Sequence, residues 1–236
     1  SIWRNIDEVY DKTYATCVKK NDAYYARYPQ DIELVHDIVD YLATHEVRLP
    51  DGDLMTVRRF QQLGMGFGAT DGYERTHYAL EGAFVQGPDV IELSYGFFAD
   101  CNDMSQFDTN PIYAILHEAI YCQGFASKWS AERVRAKYPQ FDDYSGNHVL
   151  FTGEMIYPWM FDDMAELAPL KQAAEILAAK EDWPSLYDAD TLAQNTVPCA
   201  AAIYFNDLYV PVEFSLETAS AIPNLYPWVT SEYEHN

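Results

Sequence analysis

The chain has 236 residues, of which 49% are hydrophobic and 15% are aromatic, so it can bury a core in one large domain or two small ones. Fifteen basic residues stand against 37 acidic ones, which gives a formal net charge of −22. Such a field repels phosphate backbones and anionic lipids, and it argues against a protein that binds nucleic acid or a membrane surface.

The lack of a recognisable targeting signal in this sequence, together with its cysteine usage, predicts a cytoplasmic protein. No segment approaches the roughly 20 apolar residues of a membrane-spanning helix, and the first residues lack the apolar region of a signal peptide. The four cysteines are far apart and form no CxxC pair, so we expect free thiols.

Helical patterns dominate the chain up to about residue 180. Apolar residues recur at steps of three and four in IWRNIDEVYDKTYATCV and in DIELVHDIVDYLATHE, where Asp31 is a candidate N-cap. In NPIYAILHEAIYCQG, Asn110 is a candidate cap and Pro111 occupies the first helical position. Two more helices are expected, in ASKWSAERVRAKYP and in APLKQAAEILAAKEDWP.

The pattern changes after about residue 190. VPCAAAIYF is a continuous apolar run of strand length, which predicts a strand buried on both faces. VPVEFSLETASAIP then predicts a short helix, and a second strand is expected from Tyr226 to about Ser231. Strand, helix and strand in this order are typical of parallel α/β structure. Because two strands alone cannot form a stable parallel sheet, this part resembles the end of a larger one.

Two motifs fail the tests for the chemistry that they suggest. GMGFGA has the form G-x-G-x-x-A, but TVRRFQQL before it predicts a helix, whereas a dinucleotide site needs a strand there. A loop between helices is therefore expected. HEAIY resembles the zinc motif H-E-x-x-H, but Tyr121 replaces the second histidine, so no zinc site is expected.

An aspartate and a histidine follow the two predicted strands. Asp207 comes directly after the first strand, and His235 follows the second. The carboxyl ends of parallel strands meet at one edge, where ligands and catalytic groups of α/β sheets lie. Aspartate before histidine is the order of the α/β-hydrolase triad. The alternative is an aspartate that only caps its turn and a histidine in an exposed tail.

The triad also needs a serine, and the nucleophile motif G-x-S-x-G does not occur in these residues. ELSYG comes near it but lacks the first glycine. The sequence therefore predicts a chain that begins after its nucleophile and that is inactive by itself.

Several stretches resemble the carboxyl-terminal half of the proline iminopeptidases, which are α/β-hydrolases. These stretches cover most of the chain from about Arg48 onward: RLPDGD, RRFQQLGMGFGATDGYERTHYALEGAF, NPIYAILHEAIYCQG, FTGEMIYPWMF, VPCAAAIYFNDLYVP and WVTSEYEHN. The resemblance implies a mostly α-helical cap over residues 1–190, followed at 191–236 by the last strand-helix-strand of the parallel core. It also implies cleavage of N-terminal proline from peptides, with catalytic Asp207 and His235 and without a metal or organic cofactor.

The cationic imino nitrogen of such a substrate calls for carboxylates, and the candidates are Glu118 and Glu154, which lie among apolar and aromatic residues. Tyr121, Tyr157 and Trp159 either wall a proline pocket or pack in the core. Two other functions stay open: another capped serine hydrolase such as an esterase, and a non-catalytic acidic helical module that binds a cationic peptide or a partner protein. The apolar strand also predicts self-association of the chain or pairing with its missing half.

Overall fold

The computed structural model describes residues 3–87, 91–104, 107 and 110–235, so Ile2, which the sequence placed on the first helix, lies outside it. Most regular structure is helical, and a small parallel sheet lies near the carboxyl end. The α-helices are α1 (Ile6–Arg27), α2 (Asp31–Thr44), α3 (Val57–Gln61), α4 (Gly72–Glu81), α5 (Tyr95–Met104), α6 (Pro111–Leu116), α7 (Ser130–Arg135), α8 (Met160–Asp163), α9 (Lys171–Ala179), α10 (Ala189–Ala193) and α11 (Val212–Ala221). The strands are β1 (Phe84–Gln86), β2 (Ile91–Leu93), β3 (Cys199–Tyr204) and β4 (Leu225–Thr230). The 3₁₀ helices span Gln62–Gly68, Ala119–Tyr121, Pro139–Phe141 and Ala168–Leu170.

Helix α1, which the apolar spacing predicted, contributes a large part of the core. The Asn5 side chain caps it by accepting a hydrogen bond from the Asp7 amide, 2.9 Å away. Its inner face carries Tyr10, Tyr14 and Tyr24, each no more than 1% exposed, and these rings pack in one apolar cluster with residues of most other helices.

Asn21 ties α1 to the irregular segment at residues 149–154. Its amide nitrogen donates to the carbonyls of Cys17 and Phe151, both at 2.8 Å, and its Oδ1 accepts from the Phe151 amide at 2.8 Å. The side chain is fully buried, so each of these bonds satisfies a polar group that water does not reach.

The predicted cap of α2 was wrong. Gln30 precedes the helix, and Asp31 is its first residue. The Asp31 carboxylate is fully buried, accepts a hydrogen bond from the Tyr24 hydroxyl and lies 3.0 Å from Nδ1 of His77 on α4. Asp31 therefore joins three helices instead of closing the end of one.

Two predicted helices are shorter than expected. The segment from Pro111 is α-helical only as far as Leu116 and then tightens into a 3₁₀ turn. The next helix begins only at Ser130, because Lys128 and Trp129 have φ of 51° and 57°, outside the α-helical region. Both interruptions surround Glu118, whose contacts are described below.

The antiparallel pair of β1 and β2 was not predicted, since three-residue strands show no clear periodicity. The predicted strand-helix-strand at the carboxyl end is confirmed. Strands β3 and β4 pair in parallel, with Cys199 opposite Leu225 and Tyr204 opposite Thr230, and α11 connects them. Their carboxyl ends consequently lie at the same edge.

Strand β3 is not buried on both faces, so that prediction was wrong for this chain. Ala200 and Ala202 are exposed, and so are Tyr226 and Trp228 of β4. Among the described residues the sheet has two strands and contacts α11, which leaves much of its apolar surface uncovered. None of the described helices combines the length and the apolar character needed to span a membrane.

The Asn21 network generates the first testable prediction. The Asn21→Ala variant leaves the buried backbone amide and carbonyl of Phe151 without the Asn21 side chain as a partner, so the free energy of unfolding should fall by about 3 kcal/mol. Urea denaturation of the 236-residue chain measures this. Asn147→Ala, at an exposed position of a neighbouring segment, is the control and should change stability little. Equal losses in the two variants contradict the assigned role.

Candidate functional site

Asp207 lies in the turn that follows β3, and its carboxylate organises that turn. Oδ1 accepts hydrogen bonds from the backbone amides of Tyr209 at 2.8 Å and Val210 at 2.9 Å. The residue is only 7% exposed. The two amides offset the cost of burying a charge and leave Oδ2 available for a third partner.

That partner is His235, which the chain brings to the same edge after β4. Its Nδ1 lies 2.7 Å from Oδ2 of Asp207. An ionised carboxylate only accepts, so the proton of this bond is on Nδ1. The His235 side chain is 43% exposed, and Nε2 has no hydrogen-bond partner among the described residues. A buried carboxylate thus orients an imidazole whose other nitrogen is available as a base.

The segment that carries His235 is anchored to the helical part of the chain. The His235 amide donates to the Gly68 carbonyl at 2.9 Å. Next to it, Glu234 forms an ion pair with Lys20 of α1 at 2.6 Å, and the Lys20 side chain is 9% exposed. The position of His235 therefore depends on helical residues far away in sequence as well as on the sheet.

Glu154 accepts a hydrogen bond from the Tyr113 hydroxyl. Burial, reinforced by this carboxylate, raises the pKa of Tyr113 well above its ordinary range, so the tyrosine stays a donor. Burial also lowers the pKa of the neighbouring His117, against an opposing effect of Glu154. The Glu154 carboxylate is thus held by a neutral donor, and the lowered pKa of His117 favours a neutral imidazole nearby.

Glu154 lies on the same side of the molecule as Asp207. A Cβ atom added to the preceding Gly153 would lie 3.5 Å from Leu208, so the two segments are in close contact. Burial raises the pKa of Tyr121 to about 12, and the charges of both Glu154 and Asp207 add to this. Both carboxylates also raise the pKa of Tyr209, after the larger effect of burial. Tyr121 and Tyr209 are therefore within electrostatic reach of both carboxylates.

Glu118 has a different environment. Its two carboxylate oxygens accept from the amides of Ser130 at 3.1 Å and Ala131 at 2.9 Å, the first two residues of α7. Burial raises the pKa of Glu118, and these amides oppose the shift. The cavity beside it has a volume of about 10 Å³, enough for roughly one water molecule. Capping of α7 accounts for the burial of Glu118, and its contact with a substrate stays a prediction.

Of the three candidate pocket aromatics, Tyr157 is a buried core residue, and Tyr121 and Trp159 are partly buried and pack against the core. Tyr157 is 1% exposed and its hydroxyl lies 2.8 Å from that of Tyr14. The Arg58 guanidinium lies over the rings of Tyr157 at 4.8 Å and Trp159 at 5.6 Å. Tyr121 is within electrostatic reach of both Glu154 and Asp207. Sequence reasoning missed Tyr113 and Tyr209, although Tyr209 stands two residues after Asp207, where it closes the turn.

The matches to known proteins agree with the sequence resemblance. No family model matches the chain. It is 46% identical over 235 residues to a proline iminopeptidase of Aeromonas sobria, covering 100% of this chain and 54% of that protein. It is 35% identical over 230 residues to the proline iminopeptidase aneH of Aspergillus aculeatus, covering 97% of this chain and 51% of that protein. The chain is homologous to the proline iminopeptidases.

The alignments leave about half of each relative unmatched. The chain spans about half the length of these two proline iminopeptidases. The homology confirms the family suggested by the sequence stretches, and it includes the residues around Asp207, His235, Glu118 and Glu154, since it extends over nearly the whole chain.

The environment of Glu118 generates the second testable prediction. The Glu118→Ala variant removes both acceptors from the start of α7 and should lower the free energy of unfolding by about 1–2 kcal/mol. Urea denaturation again measures it. Glu166→Ala, which truncates an exposed glutamate, is the matched control. A Glu118→Ala variant as stable as this control contradicts the capping role.

Proposed function

We propose that the chain supplies the aspartate and the histidine of the catalytic triad in a serine aminopeptidase that releases N-terminal proline from peptides. The observation that carries the proposal is the 2.7 Å contact between buried Asp207 and half-exposed His235, at the ends of adjacent parallel strands. Homology to proline iminopeptidases supports the choice of reaction over other uses of such a pair.

In this mechanism His235 works through Nε2. Nε2 takes the proton of the serine hydroxyl as the oxygen attacks the carbonyl carbon of the first peptide bond, and later donates that proton to the leaving amine. Asp207 keeps the proton of the neutral imidazole on Nδ1 and stabilises the imidazolium that forms. It remains ionised throughout, with two backbone amides as further donors.

We assign the serine and the oxyanion donors to residues outside these 236. The sequence contains no G-x-S-x-G motif, and each relative has about as many unmatched residues as matched ones. In the same proposal residues 1–190 form a helical cap, and 191–236 form the last strand-helix-strand of an α/β-hydrolase core. The remainder of that core then covers the exposed apolar sheet residues such as Tyr226 and Trp228.

The cationic amine of the substrate is assigned to Glu154. Its carboxylate is half-buried, lies near the Asp207 turn and accepts a hydrogen bond from a hydroxyl, and it forms no ion pair with any residue that the structure describes. A carboxylate in such a partly dry site attracts a cation more strongly than it would in water. Of the three aromatic residues considered for the proline pocket, we assign the ring contact to Tyr121, which lies within electrostatic reach of both Glu154 and Asp207.

The third prediction tests the catalytic pair in a chimera of the Aeromonas sobria enzyme, in which these 236 residues replace the segment that they match. The chimera should hydrolyse a proline anilide, whereas the isolated chain should not, because it has no activated nucleophile. His235→Gln and Asp207→Asn should each lower kcat of the chimera about 10⁴-fold or more.

His36→Gln on α2 is the matched histidine control for the chimera and should leave kcat unchanged. Turnover by the isolated chain at the rate of the chimera contradicts the assignment of the serine. Full activity of the His235→Gln chimera contradicts the assignment of the base.

The fourth prediction concerns recognition of the amine. In the chimera, Glu154→Gln should reduce kcat/KM for the proline anilide about 30- to 150-fold, which corresponds to about 2–3 kcal/mol for a lost charge-assisted hydrogen bond. An ester with a cyclopentane ring, in which carbon replaces the ring nitrogen of proline, makes no such bond. Its kcat/KM should stay within about twofold.

Glu118→Gln is the matched control for Glu154→Gln. As a capping residue, Glu118 should affect the two substrates alike. A Glu118→Gln variant that selectively loses the proline anilide instead assigns the amine contact to Glu118. Equal treatment of both substrates by Glu154→Gln removes Glu154 from the binding site.

A further inference from the structure

The glycine-rich 3₁₀ helix at Gln62–Gly68 lies directly against the segment of His235. Two of its carbonyls bind groups of the candidate catalytic site. Gly68 accepts from the His235 amide at 2.9 Å, and Met65 accepts from the Tyr209 hydroxyl at 2.5 Å. GMGFGA, which has the form of a dinucleotide-binding motif, therefore lies largely within a 3₁₀ helix that contacts the candidate catalytic site.

Tyr209 connects this 3₁₀ helix to both members of the pair. Its backbone amide donates to Oδ1 of Asp207 at 2.8 Å. Its ring is edge-on to the His235 imidazole, with centroids 5.1 Å apart and planes at 82°. Tyr204 packs on the imidazole in a similar edge-on manner at 5.7 Å. The ring of Tyr209 is thus one wall of the space that His235 occupies.

The glycines allow this close packing. A Cβ atom on Gly68 would lie 2.2 Å from Cζ of Tyr209, so the tyrosine ring fills the volume of a side chain at position 68. A Cβ atom on Gly64 would lie 2.4 Å from Cβ of Phe151, in the segment that Asn21 holds against α1. The 3₁₀ helix is therefore packed against the core on one side and against Tyr209 on the other.

We propose that Tyr209 is a positioning residue for His235, and that the 3₁₀ helix Gln62–Gly68 is the support through which it acts. The catalytic part of this inference rests on the proposed function. His235 is 43% exposed and belongs to an irregular segment, so its hydrogen bond to Asp207 alone leaves the ring free to tilt. Tyr209, held by Met65, restricts that tilt, and Gly68 fixes the backbone beneath the ring.

Tyr209→Phe tests the inference in the chimera, because it removes the bond to Met65 and keeps the ring. We expect kcat for the proline anilide to fall about 10-fold, since small displacements of a catalytic group are costly. KM should stay within about twofold, because Tyr209 is assigned no substrate contact. Tyr25→Phe is the matched control: its hydroxyl also donates to a backbone carbonyl, that of Val149 at 2.6 Å, and kcat should not change.

A second measurement on the 236-residue chain does not depend on catalysis. The exchange rate of the His235 amide with solvent, measured by NMR, reports its bond to Gly68. It should rise about fivefold to tenfold in Tyr209→Phe, as expected for one weakened hydrogen bond, and should be unchanged in Tyr25→Phe.

Gly68→Ala tests whether the 3₁₀ helix acts on His235 through its packing against Tyr209. In the chimera it should lower kcat more than Tyr209→Phe does, because the added methyl displaces the ring. In a Tyr209→Ala background the same substitution should have less than half of that effect on log kcat, since the obstructing ring is gone. Additive effects of Gly68→Ala and Tyr209→Ala on log kcat contradict an effect of position 68 that acts through Tyr209.

Failure of this inference differs from failure of the proposed function. A fully active His235→Gln chimera, or an inactive chimera, overturns the proposed function, and amide exchange then decides whether Tyr209 anchors His235. If His235→Gln is inactive while Tyr209→Phe has the kcat of Tyr25→Phe, the positioning role of Tyr209 is overturned and the pair itself stands.

Discussion

The hydrogen bond between Asp207 and His235 is the interaction on which the site depends, and three parts of the molecule must meet to form it. The parallel pairing of β3 and β4 brings both residues to one edge. The Asx turn of Asp207 supplies two amide donors that offset the free-energy cost of burying its carboxylate. The helical region then holds the His235 segment through Gly68 and Lys20. Loss of any one of them removes a constraint on the imidazole.

Buried carboxylates elsewhere in this acidic chain show why hydrogen-bond partners decide a role better than sequence context does. Asp31 is closed in by Tyr24 and His77, and Glu118 by the first amides of α7. Both are fully engaged within the fold. Glu154 accepts from one hydroxyl in a partly exposed position, and this difference is the reason why we assign the substrate amine to it in the proposed function.

Sequence patterns predicted those features that depend on local spacing. The continuous apolar run of β3, the helix after it and the second strand made the parallel unit and the shared edge of Asp207 and His235 predictable. Predictions from local sequence were wrong where the hydrogen-bond partner comes from a residue far along the chain. Asp31 was predicted as a cap but binds His77 on another helix, and the segment around Glu118 changes from an α-helix to a 3₁₀ turn, beside which Glu118 binds the first amides of α7. Tyr209 and Gly68 carry no local signal of their contact, because it joins residues 141 positions apart only in the folded chain.

The central claim is that His235, oriented by Asp207, activates a serine hydroxyl. Labelling of the chimera with a fluorophosphonate measures this directly, since the reagent reacts with a serine whose proton a neighbouring base removes. We expect rapid labelling of one serine outside these 236 residues, and a labelling rate reduced by orders of magnitude in His235→Gln. Labelling of His235→Gln at the unmodified rate, or labelling of a serine within this chain, would contradict it.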